Sequence, residues 1–201
     1  MITGALLLAA GSGTRFGSRK QDIIFHDKVL WRYAYYVLTS LIDREKIIVV
    51  GKDIPGGETR TESVNAGLMS LPQNLERVII AEAARPFVTR KQIQILMNDT
   101  HDSVSFVKPL VDTVIYRNGD YINRSDLYDL LTPQAFNFKK LKQAYENRSS
   151  NNFTDETRIM YEFHGIKPFF IETGQNLYKL TYKEDIAILE SLYKILEQEN
   201  N

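Results

Sequence analysis

The most constraining feature of this chain is its opening: Gly4-Ala-Leu-Leu-Leu-Ala-Ala10 carries no polar side chain and passes straight into Gly11-Ser-Gly-Thr-Arg-Phe-Gly17. A strand with one wet face alternates polar and apolar residues. A run that is apolar throughout reads as a strand buried on both faces, the habit of parallel sheets covered by helices. The chain then supplies the crossovers such a sheet needs. Residues 29–41 carry apolar groups at helical spacing, Lys46–Val50 is a second buried strand, and 61–71 is a helix behind a Thr/Ser-rich opening. Val78–Ala81 and Ser103–Val107 read as strands, with a helix over Lys91–Met97 between them. This alternation predicts an α/β, Rossmann-like, mainly parallel sheet with helices on both faces.

The rhythm breaks at 112–117 and 120–124, two short alternating runs around Asn118-Gly119. That dipeptide favours a type I′ hairpin turn, whose two central residues both need positive φ. A hairpin inserted over 112–124 has few local partners, and two readings stay open: a lid over a site, or an arm that embraces a second subunit. Beyond it, 137–146 and 155–163 read as helices, the second capped by Thr154; 166–171 reads as a strand and 183–198 as a closing amphipathic helix.

Nothing marks a second domain, so 1–201 is read as one. Lys plus Arg and Asp plus Glu balance at 25 each, which gives no global field for nucleic acid or an anionic membrane. There is no cysteine, so disulfides and thiolate sites are excluded. His26, His101 and His164 show no ligand spacing and read as surface or core residues. The apolar opening lacks the basic residues of a secretory signal, and no stretch reaches the ~18 apolar residues of a membrane span, so a cytoplasmic location is expected.

A glycine-rich turn at the carboxyl end of a first parallel strand is where such sheets bind phosphate groups. Gly11 and Gly13 would let main-chain amides approach oxygens, although a plain strand-to-helix turn is the bland alternative. The spacing fits neither common competitor. A dinucleotide loop wants its third glycine one residue earlier, and the P-loop Lys-Ser/Thr ending is missing. Arg15 and Lys20, within and just past the loop, suit a triphosphate by neutralising the charge of a departing pyrophosphate.

With these residues the sequence resembles a known family. Leu8-Ala-Ala-Gly-Ser-Gly-Thr-Arg-Phe-Gly17 followed by Lys20-Gln21 resembles the signature of the cytidylyltransferases that make CDP-methylerythritol, an isoprenoid precursor. It is also similar to their relatives that make CDP-ribitol for cell-surface polysaccharides. The likeness covers almost the whole chain: Gly56-Gly57-Glu-Thr-Arg60-Thr-Glu-Ser63-Val64, Ala83-Ala84-Arg85-Pro86-Phe87, Pro109-Leu-Val-Asp112-Thr113, Leu131-Thr-Pro-Gln134-Ala-Phe136, Thr154-Asp155-Glu156 and Lys179-Leu-Thr181 fall in family order.

The resemblance implies a nucleotide-diphospho-sugar transferase type of fold and transfer of CMP from CTP to a small polyol phosphate, with Mg²⁺ riding on the triphosphate. Arg15, Lys20 and Lys179 would be catalytic. Ala9, Ala10, Gly11, Ser12 and Gly13 would cradle the nucleotide, Gly57 and Ser63 would read the cytosine, and Glu82, Ala83 and Arg85 would line the ribose side. Glu82 is the one protein candidate for the metal. Asp112, Thr113, Arg124, Lys139 and Lys179 would face the acceptor, and the 112–124 hairpin would be a homodimer arm. For Arg85 a structural ion pair, for Asp112 a turn, and for Thr154–Glu156 simple capping are the plain alternatives.

The sequence also departs from the family. Ala81-Glu82 stands where relatives have His-Asp, and Asn176 falls where a carboxylate is usual, which points to altered metal handling. The short passage from Val50 to Gly56 implies one fewer strand and a more open nucleotide edge. Asn137-Phe-Lys139-Lys140 follows Phe136 where some methylerythritol enzymes carry an arginine, and the residues around Arg124 lean slightly toward the pentitol-phosphate branch. Another sugar or alcohol phosphate, or a nucleotide-binding protein with weakened turnover, are the alternatives.

Overall fold

The direction of side chains along the first strand sets the layers. In the structure, a computed structural model describing residues 1–148, 150 and 152–199, β1 (Thr3–Leu8) turns Ala5 and Leu7 to one face and Leu6 to the other, all fully buried. The single-domain expectation for 1–201 also takes in Ser149, Asn151, Asn200 and Asn201, which lie outside the described residues. The elements follow in the order β2 (Ile24–Phe25), β3 (Lys28–Val29), α1 (Trp31–Thr39), β4 (Ile47–Val50), α2 (Arg60–Ser70), β5 (Arg77–Glu82), α3 (Arg90–Asn98) and β6 (Ser103–Pro109). Then come β7 (Val114–Ile115), β8 (Tyr121–Ile122), β9 (Tyr128–Asn137), α4 (Phe138–Glu146), α5 (Glu156–His164), β10 (Phe169–Glu172) and α6 (Asp185–Glu199).

Six strands form one sheet in the order β10-β6-β9-β5-β1-β4. β1 pairs parallel with β4 and β5, and β6 parallel with β10. Leu7 and Ile79 meet Leu38 of α1 and Leu96 of α3 on one face, while Leu6 and Ile80 meet Leu68 of α2, Leu141 of α4 and Met160 of α5 on the other. A third apolar cluster, from Phe16 and Phe25 to Phe87, Leu180 and Leu189, ties the loop after β1 to α6.

The largest departure from the sequence pattern is β9, a ten-residue strand that spans the Leu131–Phe136 motif. It lies antiparallel between β5 and β6 and splits the parallel order. Pro133 sits inside it, which argues against a central strand because proline cannot donate to a ladder. The structure accommodates it at a bulge: the register jumps from Ser105–Gln134 to Phe106–Leu131, so Thr132 and Pro133, joined by a cis peptide, are left out of the pairing.

Smaller corrections share a local cause. The hairpin exists, but Asn118 keeps negative φ and only Gly119 is positive (95°). With Gly119 N–H bonded to the Tyr116 carbonyl at 2.9 Å, the turn is a longer loop closed by a glycine instead of type I′. Helix α5 is capped by Asp155, not Thr154; the Asp155 carboxylate accepts from Thr157 N–H at 2.8 Å. The β2–β3 ribbon escaped the sequence reading because two-residue strands carry no period. At the β4 edge, where the short passage to Gly56 implies a missing strand, the chain makes a single parallel bridge, Val50 to Ile54, and the sheet ends.

Candidate nucleotide-binding site

The loop after β1 is held in shape by bonds that leave its amides unused. The Gly13 carbonyl accepts from Phe16 and Gly17 N–H, each at 2.9 Å, and the buried Gln21 amide donates to the Gly11 carbonyl at 2.8 Å. Gly13 has φ of 74°, the left-handed region that favours glycine. Among the described residues, the N–H groups of Ala10, Gly11, Ser12, Gly13, Thr14 and Arg15 donate to no protein acceptor. A run of free donors at a strand end is an anion nest.

These amides face a cleft of about 450 Å³ at the carboxyl ends of β1 and β5. Ala9, Ala10, Gly11, Ser12, Gly13, Arg15, Lys20, Gly57, Ser63, Glu82, Ala83 and Lys179 all line it. The Thr59 capping box, closed reciprocally with Glu62, fixes the start of α2, and the Ser63 hydroxyl accepts from Gly57 N–H at 3.1 Å. Lys20 donates to the Leu180 carbonyl at 2.6 Å, which holds its ammonium at the cleft. Burial lowers the Lys20 pKa below its usual value, and the positive charges of Lys179 and Arg15 lower it further. The cations therefore repel one another until an anion arrives.

Opposite them, Glu82 Oε2 is buried and lies 2.5 Å from the Lys179 ammonium, a contact of charge more than of directed hydrogen bonding. Burial opposes the Glu82 charge, but Lys179 and Arg60 outweigh it and hold the carboxyl at about 2. Arg60 also lines the cleft. Its role is not legible in the sequence, which does not show what an arginine at a helix start faces.

Four expected acceptor residues lie elsewhere. Asp112, Thr113 and Arg124 belong to the hairpin region and are exposed; Arg124 donates to the Val111 carbonyl. Lys139 does not line the chain's own cleft. It follows β9, whose Asn137 pairs with Arg77 at the start of β5, so it sits at the end of the sheet opposite Glu82. Lys140 is likewise committed, to Asp102 at 2.5 Å. Arg85 does not line the nucleotide cleft. It is buried, donates to the Thr132 hydroxyl at 3.1 Å and to the Leu177 carbonyl, and walls a second hollow of about 280 Å³ that shares Lys179. Asn176 faces away from the cleft, donating to the Phe87 carbonyl at 2.9 Å and to the Gln92 side chain at 2.8 Å.

A covered, mainly parallel sheet with an anion nest, two flanking cations and a nucleotide-sized cleft defines a nucleotide-binding α/β protein of transferase type. Comparison with known proteins narrows this. A sequence model of 2-C-methyl-D-erythritol 4-phosphate cytidylyltransferases matches residues 3–195. The protein of that name from Caldicellulosiruptor bescii is 32% identical over 219 residues, covering 96% of this chain and 97% of that one. The bifunctional enzyme IspD/IspF of Campylobacter fetus is 33% identical over 201 residues, 92% of this chain and 52% of that protein, so the chain spans about half of it. The solved bifunctional IspDF of Campylobacter jejuni superposes with a TM-score of 0.81 at 29% identity, over 93% of this chain and 54% of that one. The chain belongs to the 2-C-methyl-D-erythritol 4-phosphate cytidylyltransferase family.

Proposed function

We propose that the chain transfers CMP from CTP to 2-C-methyl-D-erythritol 4-phosphate and releases pyrophosphate. The observation that carries this reading is the run of unused amides from Ala10 to Arg15, flanked by Arg15 and Lys20, facing one cleft. The relatives' printed names supply the nucleotide and the acceptor. An acceptor phosphate oxygen attacks the α-phosphorus of CTP, a new P–O bond forms, and the bond to the β,γ-diphosphate breaks in line. The nucleophile is a phosphate monoester with its second pKa about 6, so no protein base is required. What remains is positioning and stabilisation of charge.

The residues divide that work. Amides 10–13, Arg15 and Lys20 grip the triphosphate and the departing pyrophosphate, and Lys179 meets the reacting phosphate where the two hollows join. Gly57 and Ser63 flank the base, with Ala83 beside the ribose. Glu82, the expected metal candidate, has its two oxygens turned to Lys179 and Arg60, so a Mg²⁺ ion would be held by phosphate oxygens and water and not by this carboxylate. When bound, the ion neutralises phosphate charge. In this reading the enzyme works in the cytoplasm, where cell fractionation should recover it.

The purified chain with CTP, Mg²⁺ and 2-C-methyl-D-erythritol 4-phosphate should yield pyrophosphate and a CDP-linked product by mass spectrometry, and chelation should stop it. Ribitol 5-phosphate and other polyol phosphates form the comparison panel. A product from ribitol 5-phosphate alone would move the acceptor to the pentitol branch, and none from any acceptor would end the transferase reading.

The 112–124 hairpin is assigned to a homodimer. Its β7–β8 ribbon leaves Ile115, Tyr116 and Tyr121 exposed at 56%, 55% and 80%, more apolar surface than a lone hairpin holds out in water. In that arrangement Asp112, Thr113 and Arg124 serve the neighbour's acceptor side. Sedimentation should give twice the chain mass, and deleting the ribbon tip should return it to monomer; a native monomer at micromolar concentration refutes the arm.

A further inference from the structure

The proposed transfer leaves unexplained a buried acid–base pair beside the cleft. Glu156, the first residue of α5, is fully buried. Its carboxylate takes both terminal nitrogens of Arg60, one at 2.8 Å, and accepts the Tyr145 hydroxyl at 3.0 Å. On its other side Arg60 reaches the site through Nε, which donates to Glu82 Oε1 at 3.4 Å. Glu82 in turn holds Lys179. A line of alternating charge thus runs from α5, which does not line the cleft, to a lysine that does.

Stability alone does not account for this arrangement. Burying a carboxylate and a guanidinium is costly, and a well-packed apolar pair often does as well or better. The neighbouring contact between α2 and the loop before α5 is already secured by Thr61, which accepts from Phe153 N–H at 2.9 Å and donates to its carbonyl at 3.1 Å. What the charged pair adds is direction. Without a partner behind it, the Arg60 fork is free to turn on Glu82 and take both of its oxygens, and the Lys179 ammonium loses its anchor.

We propose that Glu156 is a positioning residue: by occupying the terminal nitrogens of Arg60 it sets the Glu82 carboxylate, and through it the place of the Lys179 ammonium. The inference rests on the CMP-transfer reading for its catalytic consequence. Its test is a cycle of Glu156→Gln and Glu82→Gln, alone and together, read in kcat/KM, in CTP affinity by calorimetry, and in melting temperature. Glu156→Gln should lower kcat/KM ~10-fold in the native background and less than ~2-fold once Glu82 is Gln, because the two act through one intermediary. The loss in melting temperature should run the other way, larger once Glu82 is Gln, because Arg60 then keeps neither of its two carboxylates. Kinetic losses that are equal in both backgrounds, or that follow the melting losses, would overturn the proposal. If Glu156→Gln does not fold, Arg60→Met/Glu156→Gln removes both buried charges and takes its place in the cycle. A native chain that binds CTP without releasing pyrophosphate defeats the transfer reading alone, because the affinity cycle still decides this one.

Discussion

Lys20→Ala should lower kcat by ~10³-fold, the scale for removing one fixed donor from a developing charge, while the melting temperature moves by less than about 3 °C. The asymmetry follows from geometry. In the free protein the Lys20 ammonium has one hydrogen-bond partner, the Leu180 carbonyl, and burial together with the charges of Lys179 and Arg15 outweighs the pull of Glu82 and Asp185. Removing it costs a hydrogen bond but relieves repulsion, so the ligand-free fold hardly notices. In the transfer it meets charge growing on the departing pyrophosphate, which nothing else at that position replaces. The lowered Lys20 pKa adds a sign that can be checked. The charged form binds the triphosphate, so CTP affinity should fall as pH rises through a value below the ordinary 10.5 of lysine. Lys20→Arg keeps its charge past that range and should flatten this alkaline limb. A large melting loss in Lys20→Ala with undiminished turnover per folded molecule would make Lys20 a structural residue.

That Lys20 lines the cleft the sequence pointed to, and Lys139 lies away from it, has one explanation. Short-range patterns carry the parallel half of the fold well. The apolar runs at Ala5 and Ile47 and the Thr59 capping box express preferences local in sequence, and the loop they frame lies within a few residues of its strand. Lys139 depended on the direction of β9, and β9 hides behind Pro133. Local rules reject proline in a central strand; only the bulge opposite Ser105–Phe106, made by a distant segment, lets it in. Once β9 is placed antiparallel, the residues that follow it directly, Lys139 among them, land at the far end of the sheet. The same holds for Arg60, whose partners Glu82 and Glu156 are 22 and 96 residues away. Charge pairs set by tertiary packing leave no period in the chain. The residue type was visible, the partner was not.

The glycines of the loop yield the second large effect, and they separate folding from binding. A Cβ on Gly13 would fall 1.7 Å from the Ser18 carbonyl oxygen and 2.6 Å from its carbon, and the backbone there is left-handed. Neither obstacle is a flexible side chain, so Gly13→Ala should cost about 2 kcal/mol, a drop in melting temperature of about 4–8 °C, as for strained backbone in a chain of this size. The loop must open, the donors at 10–15 lose their common focus, and CTP affinity should fall at least ~100-fold, as expected when several charge-assisted bonds go together. Gly11 is the contrast. Its φ is not left-handed, and a Cβ there meets no protein atom within 4 Å. Gly11→Ala should leave the melting temperature unchanged or slightly raised, because it narrows the unfolded ensemble without native strain. Its methyl group would nonetheless occupy the space beside the free amides where a phosphate has to approach. CTP affinity should therefore fall in Gly11→Ala with no loss of stability. If Gly11→Ala binds CTP as the native chain does, the triphosphate does not approach the amides at this end of the loop, and the anion nest is not where the nucleotide sits.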